Sequence, residues 1–355
     1  MSPLVHAPYP PAARAVRLTS PGRHQLVEVE VREPTADEVL VRVAASGICG
    51  SDVELFDGRR PAAFVRYPVV PGHEWAGTVV AAGEAVGHVA VGDRVVAEGI
   101  RSCGVCARCR DGDTNLCSAG YAETGFTHPG AFSEYLSVPG RLVHRLPGGA
   151  SLDEAALLEP TACVSGGVLA AAPQAGADVV VVGDGTLGLL AVQLFGLHSP
   201  GALLVVGTRP GPLAVARELG ATSTLQLPDD DPSRLDGSAD VVFEAAGDAS
   251  AVPLALAAAR RGGTVVLAGI AGVDRAAVAP DVFALRHLTV HGIFSASSRA
   301  WRHAVALFAA GHLRLGPLIS HRFALQDYSL GLALLASRGP DTRKVLLLPA
   351  GTPDG

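Results

Sequence analysis

Four consecutive valines, Val179–Val182, run directly into Gly183-Asp-Gly185-Thr186-Leu187-Gly188, and the chain continues as an apolar stretch to His198. A strand that ends in G-x-G-x-x-G and opens a helix has few ways to fold. Gly183 permits the tight turn, Gly185 lets a pyrophosphate approach the backbone, and Gly188 lets the helix pack closely on the strand. The helix then offers unpaired N–H groups and the positive end of its dipole to phosphates. The same texture continues downstream. Strands are predicted at Leu203–Val206, Ser223–Gln226, Val241–Glu244, Thr264–Ala268 and Leu288–Gly292, with helices at Pro212–Leu219 and Ala251–Ala259. Apolar strands separated by helices imply a parallel sheet covered on both faces, an α/β, doubly wound domain.

The strand after the glycine turn bears on which dinucleotide is bound. Sites for the unphosphorylated form place Asp or Glu at its end to accept bonds from the adenosine ribose. Here the chain reads Val206-Gly207-Thr208-Arg209, with no carboxylate. Glycine makes room for a 2′-phosphate, Thr208 can donate to it, and Arg209 can pair with or stack on a phosphorylated adenosine. NADP(H) is therefore the expected cofactor and NAD(H) the lesser candidate.

The first half has a different grain. Short β-branched segments at Ala15–Leu18, Leu26–Val31, Glu38–Ala44, Gly77–Ala82 and Arg94–Ala97 are broken by glycine and proline, which suits a mainly antiparallel β domain. Within it Cys103, Cys106, Cys109 and Cys117 fall inside fifteen residues. Two Cys-x-x-Cys steps and a short return suit a closed tetrahedral cage around one Zn²⁺, which is structural because no position stays open. Paired disulfides are the alternative. The chain lacks the secreted, cysteine-dense character they require, since only 6 of its 355 residues are cysteine. A net charge of −6 with scattered basic residues argues against a nucleic-acid surface, and so against a zinc ribbon that binds DNA or RNA. No apolar run approaches a membrane span, and the proline-rich start (residues 1–13) reads as a flexible extension, not a leader peptide. The expected compartment is the cytoplasm.

Ligand-type residues also stand outside the cysteine lobe. Gly-Ile-Cys49-Gly-Ser51-Asp52, Pro-Gly-His73-Glu74-Trp and Leu-Leu-Glu159-Pro contribute one thiol, one imidazole and two carboxylates, the donor types of a catalytic zinc that keeps a position open. Each alone could be an ordinary turn or core residue.

Together with the lobe and the glycine turn, these motifs resemble the zinc-dependent medium-chain alcohol and polyol dehydrogenases, in the sorbitol-dehydrogenase-like branch. The resemblance runs from about Arg14 to Leu348. It implies a GroES-like catalytic domain (residues 1–163 and 300–355, with the structural zinc lobe at 100–118) and a Rossmann domain at 164–299. It further implies two zinc ions per chain. Cys49, His73 and Glu74 are expected ligands of the catalytic one, with Glu159 exchanging or behind them and Ser51 as the relay hydroxyl for the alcohol proton. Thr186, Leu187, Gly247, Gly269 and Ile270 join the glycines, Thr208 and Arg209 as expected cofactor contacts.

The reaction so implied is hydride exchange between the dinucleotide and a secondary alcohol or ketone, of polyol, cyclitol or aminocyclitol type. Two departures stand out: Glu54 replaces a histidine common downstream of Cys-Gly-Ser-Asp, and Ser295 follows Phe294 where the family has arginine. Asp52 is expected to orient its loop, and Cys163 is a leftover cysteine without an assigned role. Leu288–Gly292 lies where relatives pair across a dimer, so a homodimer or homotetramer is expected. A catalytically lapsed NADPH-binding scaffold or redox sensor is the alternative. Retention of both Cys49 and His73 counts against it.

Overall fold

The computed structural model describes residues 9–272 and 275–349. The chain divides into two compact units, one of Met1–Glu159, Ser297–Gly339 and Lys344–Gly355, the other of Pro160–Ala296 and Pro340–Arg343.

The first unit opens with an antiparallel ribbon, β1 (Ala12–Ser20) and β2 (Arg23–Glu30). Strands β3 (Glu38–Ile48), β4 (Glu74–Ala82), β5 (Arg94–Ala97), β6 (Tyr135–Pro139) and β7 (Val143–Arg145) follow, with short helices α1 (Gly50–Asp57) and α2 (Ala107–Arg110) between them and α3 (Leu152–Ala155) after β7. The expected extension to residue 13 is too long: β1 starts at Ala12 and buries Ala13 to 3% exposure, because pairing with β2 overrides the weak strand preference of alanine. Residues 1–8 lie outside the described part.

The second unit begins inside α4 (Leu158–Ala171). Strands β8 (Val179–Val182), β9 (Leu203–Gly207), β10 (Ser223–Gln226), β11 (Ala239–Glu244), β12 (Ala259–Leu267) and β13 (Thr289–Gly292) form one parallel sheet in the order β10-β9-β8-β11-β12-β13. Helices α5 (Thr186–Gly196), α6 (Pro210–Glu218), α7 (Ala251–Ala258) and α8 (Asp281–Leu285) connect them. This is the doubly wound dinucleotide-binding order, which reverses direction between β8 and β11, at the glycine turn. The four valines of β8 are at most 4% exposed, as a strand covered on both faces requires. The α5 N-terminus packs so closely on β8 that a Cβ on Gly188 would sit 1.9 Å from the Gly183 carbonyl oxygen. Gly188→Ala should therefore cost about 1–3 kcal/mol of stability and weaken dinucleotide binding, read by denaturant unfolding and by fluorescence titration with the nucleotide.

The chain then returns to the first unit through α9 (Ser298–Ala309), β14 (Ile319–Ala324), α10 (Tyr328–Ala336) and β15 (Lys344–Leu348). The seven-stranded sheet there runs β14-β15-β3-β4-β5-β7, with β6 on β3. The expected domain cuts at 163/164 and 299/300 lie within a few residues of the divisions at 159/160 and 296/297, and residues 340–343 fall with the second unit. No helix among the described residues is long and apolar enough to cross a membrane.

Candidate active site and metal centres

Strand register builds the candidate active site. β3 pairs antiparallel with β4, Gly47 opposite Glu74, and β15 pairs antiparallel with β3, Val345 opposite Ile48. Cys49 just beyond β3, His73 and Glu74 at the start of β4, and Lys344 at the start of β15 are thereby gathered at one end of the sheet. One ligand atom from each of Cys49, His73 and Glu74 lies within 4.8 Å of the others. Glu159, in the first turn of α4, is buried at 8% exposure and stands outside that cluster.

The cluster is held from behind. Asp52 accepts a 2.9 Å bond from the Cys49 backbone N–H through Oδ2, while Oδ1 faces His73 Nδ1 at 3.7 Å. Neither Asp52 Oδ1 nor His73 Nδ1 makes a hydrogen bond, and both are buried. Asp52 thus does orient the loop, and it stands where the outer partner of a metal-bound imidazole belongs. Burial pulls the His73 pKa down, but the Asp52 carboxylate and the Cys49 sulfur outweigh it and hold the imidazole well above its ordinary value. Ser51 Oγ lies 3.4 Å from the other ring nitrogen, Nε2. Glu54 is half-buried one turn further along α1.

Lys344, the only lysine of the chain, has no role in the sequence reading. Its ammonium donates to both Glu74 carboxylate oxygens, at 2.8 and 2.6 Å, and to the Ile48 carbonyl at 3.3 Å. Burial works against its charge, yet Glu74, Cys49 and Glu159 together keep its pKa raised. The Glu74 carboxylate lies across Gly47, where a Cβ would be 2.2 Å from Oε2. Unusual composition was the one sequence signal for Lys344: a single lysine among arginines marks a place where arginine does not serve.

On the other flank the Phe126 ring lies tilted against His73, ring centroids 4.8 Å apart, and the Arg60 guanidinium sits 3.7 Å above the Phe126 ring. Arg60 donates to the Tyr121 hydroxyl and to Glu123, and Tyr121 also bonds Glu123. Burial pushes the Glu123 carboxyl up to about 7, despite the nearby His73 and Arg60.

The second centre is the cysteine lobe. Cys103 Sγ and Cys109 Sγ are 3.9 Å apart, and Cys106 Sγ and Cys117 Sγ 4.0 Å. A tetrahedron with Zn–S bonds of about 2.3 Å has sulfur–sulfur edges of about 3.8 Å, so the four thiols fit zinc and are far too separated for disulfides. Ser118 and backbone N–H groups hold the Cys106 pKa down at about 5, whereas burial pushes Cys109 up to about 12. Thr114 fastens the lobe, accepting from the Ser298 backbone N–H at 2.8 Å, and Ser298 Oγ donates to Glu98. Cys163 is half-buried on α4 and belongs to neither cluster.

In the second unit the expected cofactor residues collect at the carboxyl ends of β8, β9, β11 and β12. Gly183 takes φ +122°, and Gly185 caps α5, with Thr186 and Leu187 in its first turn. The buried Glu244 carboxylate accepts from the backbone N–H groups of Ala246, Gly247 and Gly269, which ties two expected loops together, and Ile270 projects from them at 60% exposure. Gly207 ends β9, and Thr208 beyond it is exposed. Arg209 is engaged within the unit, donating to the Asp184 carboxylate and to the Thr342 carbonyl.

Comparison with known proteins gives the family. Residues 35–148 match the alcohol dehydrogenase GroES-like domain and residues 186–310 the zinc-binding dehydrogenase family. The L-threonine 3-dehydrogenase of Bacillus subtilis (strain 168) is 31% identical over 91% of this chain and 94% of its own. The erythritol/L-threitol dehydrogenase of Mycolicibacterium smegmatis is 32% identical over 96% and 99%. Among solved structures, an NADP-bound protein of Sinorhizobium meliloti 1021 superposes with a TM-score of 0.88 at 33% identity, covering 95% of this chain and 99% of its own. Matches of this breadth show the family: this chain belongs to the zinc-dependent medium-chain alcohol dehydrogenases.

Proposed function

We propose that this protein transfers hydride between NADP(H) and a secondary alcohol or its ketone, of polyol, cyclitol or aminocyclitol type. The observation that carries the reading is the convergence of Cys49, His73 and Glu74, with Ser51 beside them, at a place separate from the closed cysteine cluster. Cys49, His73 and Glu74 would hold a zinc ion that polarises the substrate oxygen, and a nicotinamide would carry the hydride. The chain's own residues do the rest. Asp52 holds the Cys49 loop and faces His73 with a buried carboxylate oxygen, Lys344 holds Glu74 in place, and Ser51 Oγ is positioned to take the alcohol proton. Glu159 stands by as an exchanging or supporting carboxylate. Cys103, Cys106, Cys109 and Cys117 would hold the second zinc and take no part in the chemistry.

NADP(H) is favoured over NAD(H) by the guanidinium at the end of β9, the lack of an acid in that strand's own sequence there, and the NADP bound in the Sinorhizobium meliloti relative. Relatives named for L-threonine and erythritol/L-threitol support a CH–OH carbon flanked by other polar groups. β13 ends the parallel sheet with an edge available for pairing, which supports a homodimer or homotetramer. Thiols clustered at zinc-ligand spacing suit a reducing cytoplasm.

The test is nucleotide reduction by the zinc-replete protein against polyols, cyclitols and simple secondary alcohols, with NADP⁺ and NAD⁺ in parallel. Turnover with NADP⁺ preferred is the expected result. A preference for NAD⁺ would refute the cofactor assignment. Tight nucleotide binding without turnover across the panel would favour the lapsed scaffold.

A further inference from the structure

The end of β9 does carry a carboxylate, and it arrives from the opposite loop. Asp184, the middle residue of Gly-Asp-Gly, folds its side chain over Gly207, where a Cβ would meet Asp184 Cβ and Oδ2 at 2.6 Å. The space a strand-end side chain would occupy is therefore filled by residue 184. Its Oδ2 accepts from the backbone N–H groups of Thr208 and Arg209, both at 2.8 Å. Its Oδ1 accepts from Arg209 Nε at 3.0 Å and Nη2 at 2.6 Å. Arg209 Nη1 donates to the Thr342 carbonyl at 2.7 Å, in a short segment of the same unit. The two side chains are only 18% and 7% exposed, so the pair is fixed and weakly screened.

We propose that Asp184 is a specificity-determining residue, and that the Asp184–Arg209 pair, not Arg209 alone, sets the choice between adenine dinucleotides with and without a 2′-phosphate. This rests on the reading that the 183–188 turn binds a nicotinamide dinucleotide, and it holds whichever dinucleotide the wild type prefers. The two partners act with opposite sign. The guanidinium attracts a phosphate and the carboxylate repels it. The carboxylate can accept from a free ribose diol, but in the wild type its oxygens are taken up by four N–H donors. Neutralising one partner therefore exposes the other.

The experiment is calorimetric binding of NADP⁺ and NAD⁺ to the zinc-replete chain, without substrate, for wild type, Asp184→Asn, Arg209→Gln and the double variant. Asp184→Asn should raise the NADP⁺-over-NAD⁺ affinity ratio by about tenfold, since it leaves the guanidinium uncompensated. Arg209→Gln should lower the ratio by at least as much, and it should do so partly by tightening NAD⁺, because the carboxylate is released to the ribose. The double variant should fall between them. A lone-arginine site would instead leave NAD⁺ affinity unchanged in Arg209→Gln and the ratio unchanged in Asp184→Asn, and either result overturns the proposal. Thermal melting checks that each variant is folded. If Asp184→Asn does not fold, the NAD⁺ gain in Arg209→Gln decides alone. Wild-type preference for NAD⁺ would defeat the NADP(H) assignment, while opposite shifts in the two variants would still sustain the pair.

Discussion

Cys49→Ser is expected to lower turnover by at least about a thousandfold while leaving dinucleotide affinity unchanged. The substitution is gentle to the fold. Cys49 is the N-cap of α1, and serine is among the best residues for that position, so the helix and its Asp52 bond survive. What is lost is the one sulfur donor of the Cys49–His73–Glu74 cluster, replaced by a hydroxyl that ionises far less readily and binds zinc poorly. The glycine turn lies in the other unit, on its own sheet and core, so NADP⁺ titration should read as in the wild type. Turnover within a few-fold of wild type would mean that the cluster is not the reaction centre.

Lys344→Met should destabilise the first unit by about 3–5 kcal/mol, the usual cost of leaving one member of a buried ion pair alone. Glu74 is 1% exposed and Lys344 3% exposed, so water cannot replace the ammonium that now satisfies both carboxylate oxygens. Methionine keeps most of the volume, which confines the effect to the lost charge. Glu74→Gln combined with Lys344→Met should cost less than Lys344→Met alone, because no unpaired charge then remains. Urea unfolding with the Cys49–His73–Glu74 site kept free of metal checks both values, because a zinc ion there would itself partner the Glu74 carboxylate. A single-variant loss below about 1 kcal/mol would show that Glu74 has another partner strong enough to hold it.

What the sequence made legible was whatever depends on near neighbours. The limits of β5, β8 and β10 coincide with their expected spans, because each is a short run bounded by turn residues. The cysteine lobe was readable because all four ligands come from one short segment. Other elements were longer than expected: β3 continues through Ala45 to Ile48 because β4 and β15 pair along it, a contact no local pattern reports. The strand β14 and helix α10 were not foreseen at all; β14 carries Ser, His and Arg between Ile319 and Phe323, and the apolar side of α10 becomes a core only against β15 and α1. The same holds at the sites. His73 and Glu74 announce themselves side by side, whereas Lys344 meets Glu74 across 270 positions. The strand end searched for an acid had none of its own, and only the folded turn brings Asp184 over Gly207.

The most direct measurement is metal content and turnover followed together on the same samples during chelation and zinc re-addition. The proposed reaction requires two zinc ions per chain in the active protein, one at each cluster. Removal of the ion at Cys49, His73 and Glu74 should abolish turnover in proportion, with zinc restoring it, while the ion of the cysteine lobe leaves last and with unfolding. Full turnover by protein carrying no zinc, or carrying only the lobe's ion, would contradict a zinc-dependent reaction at this site.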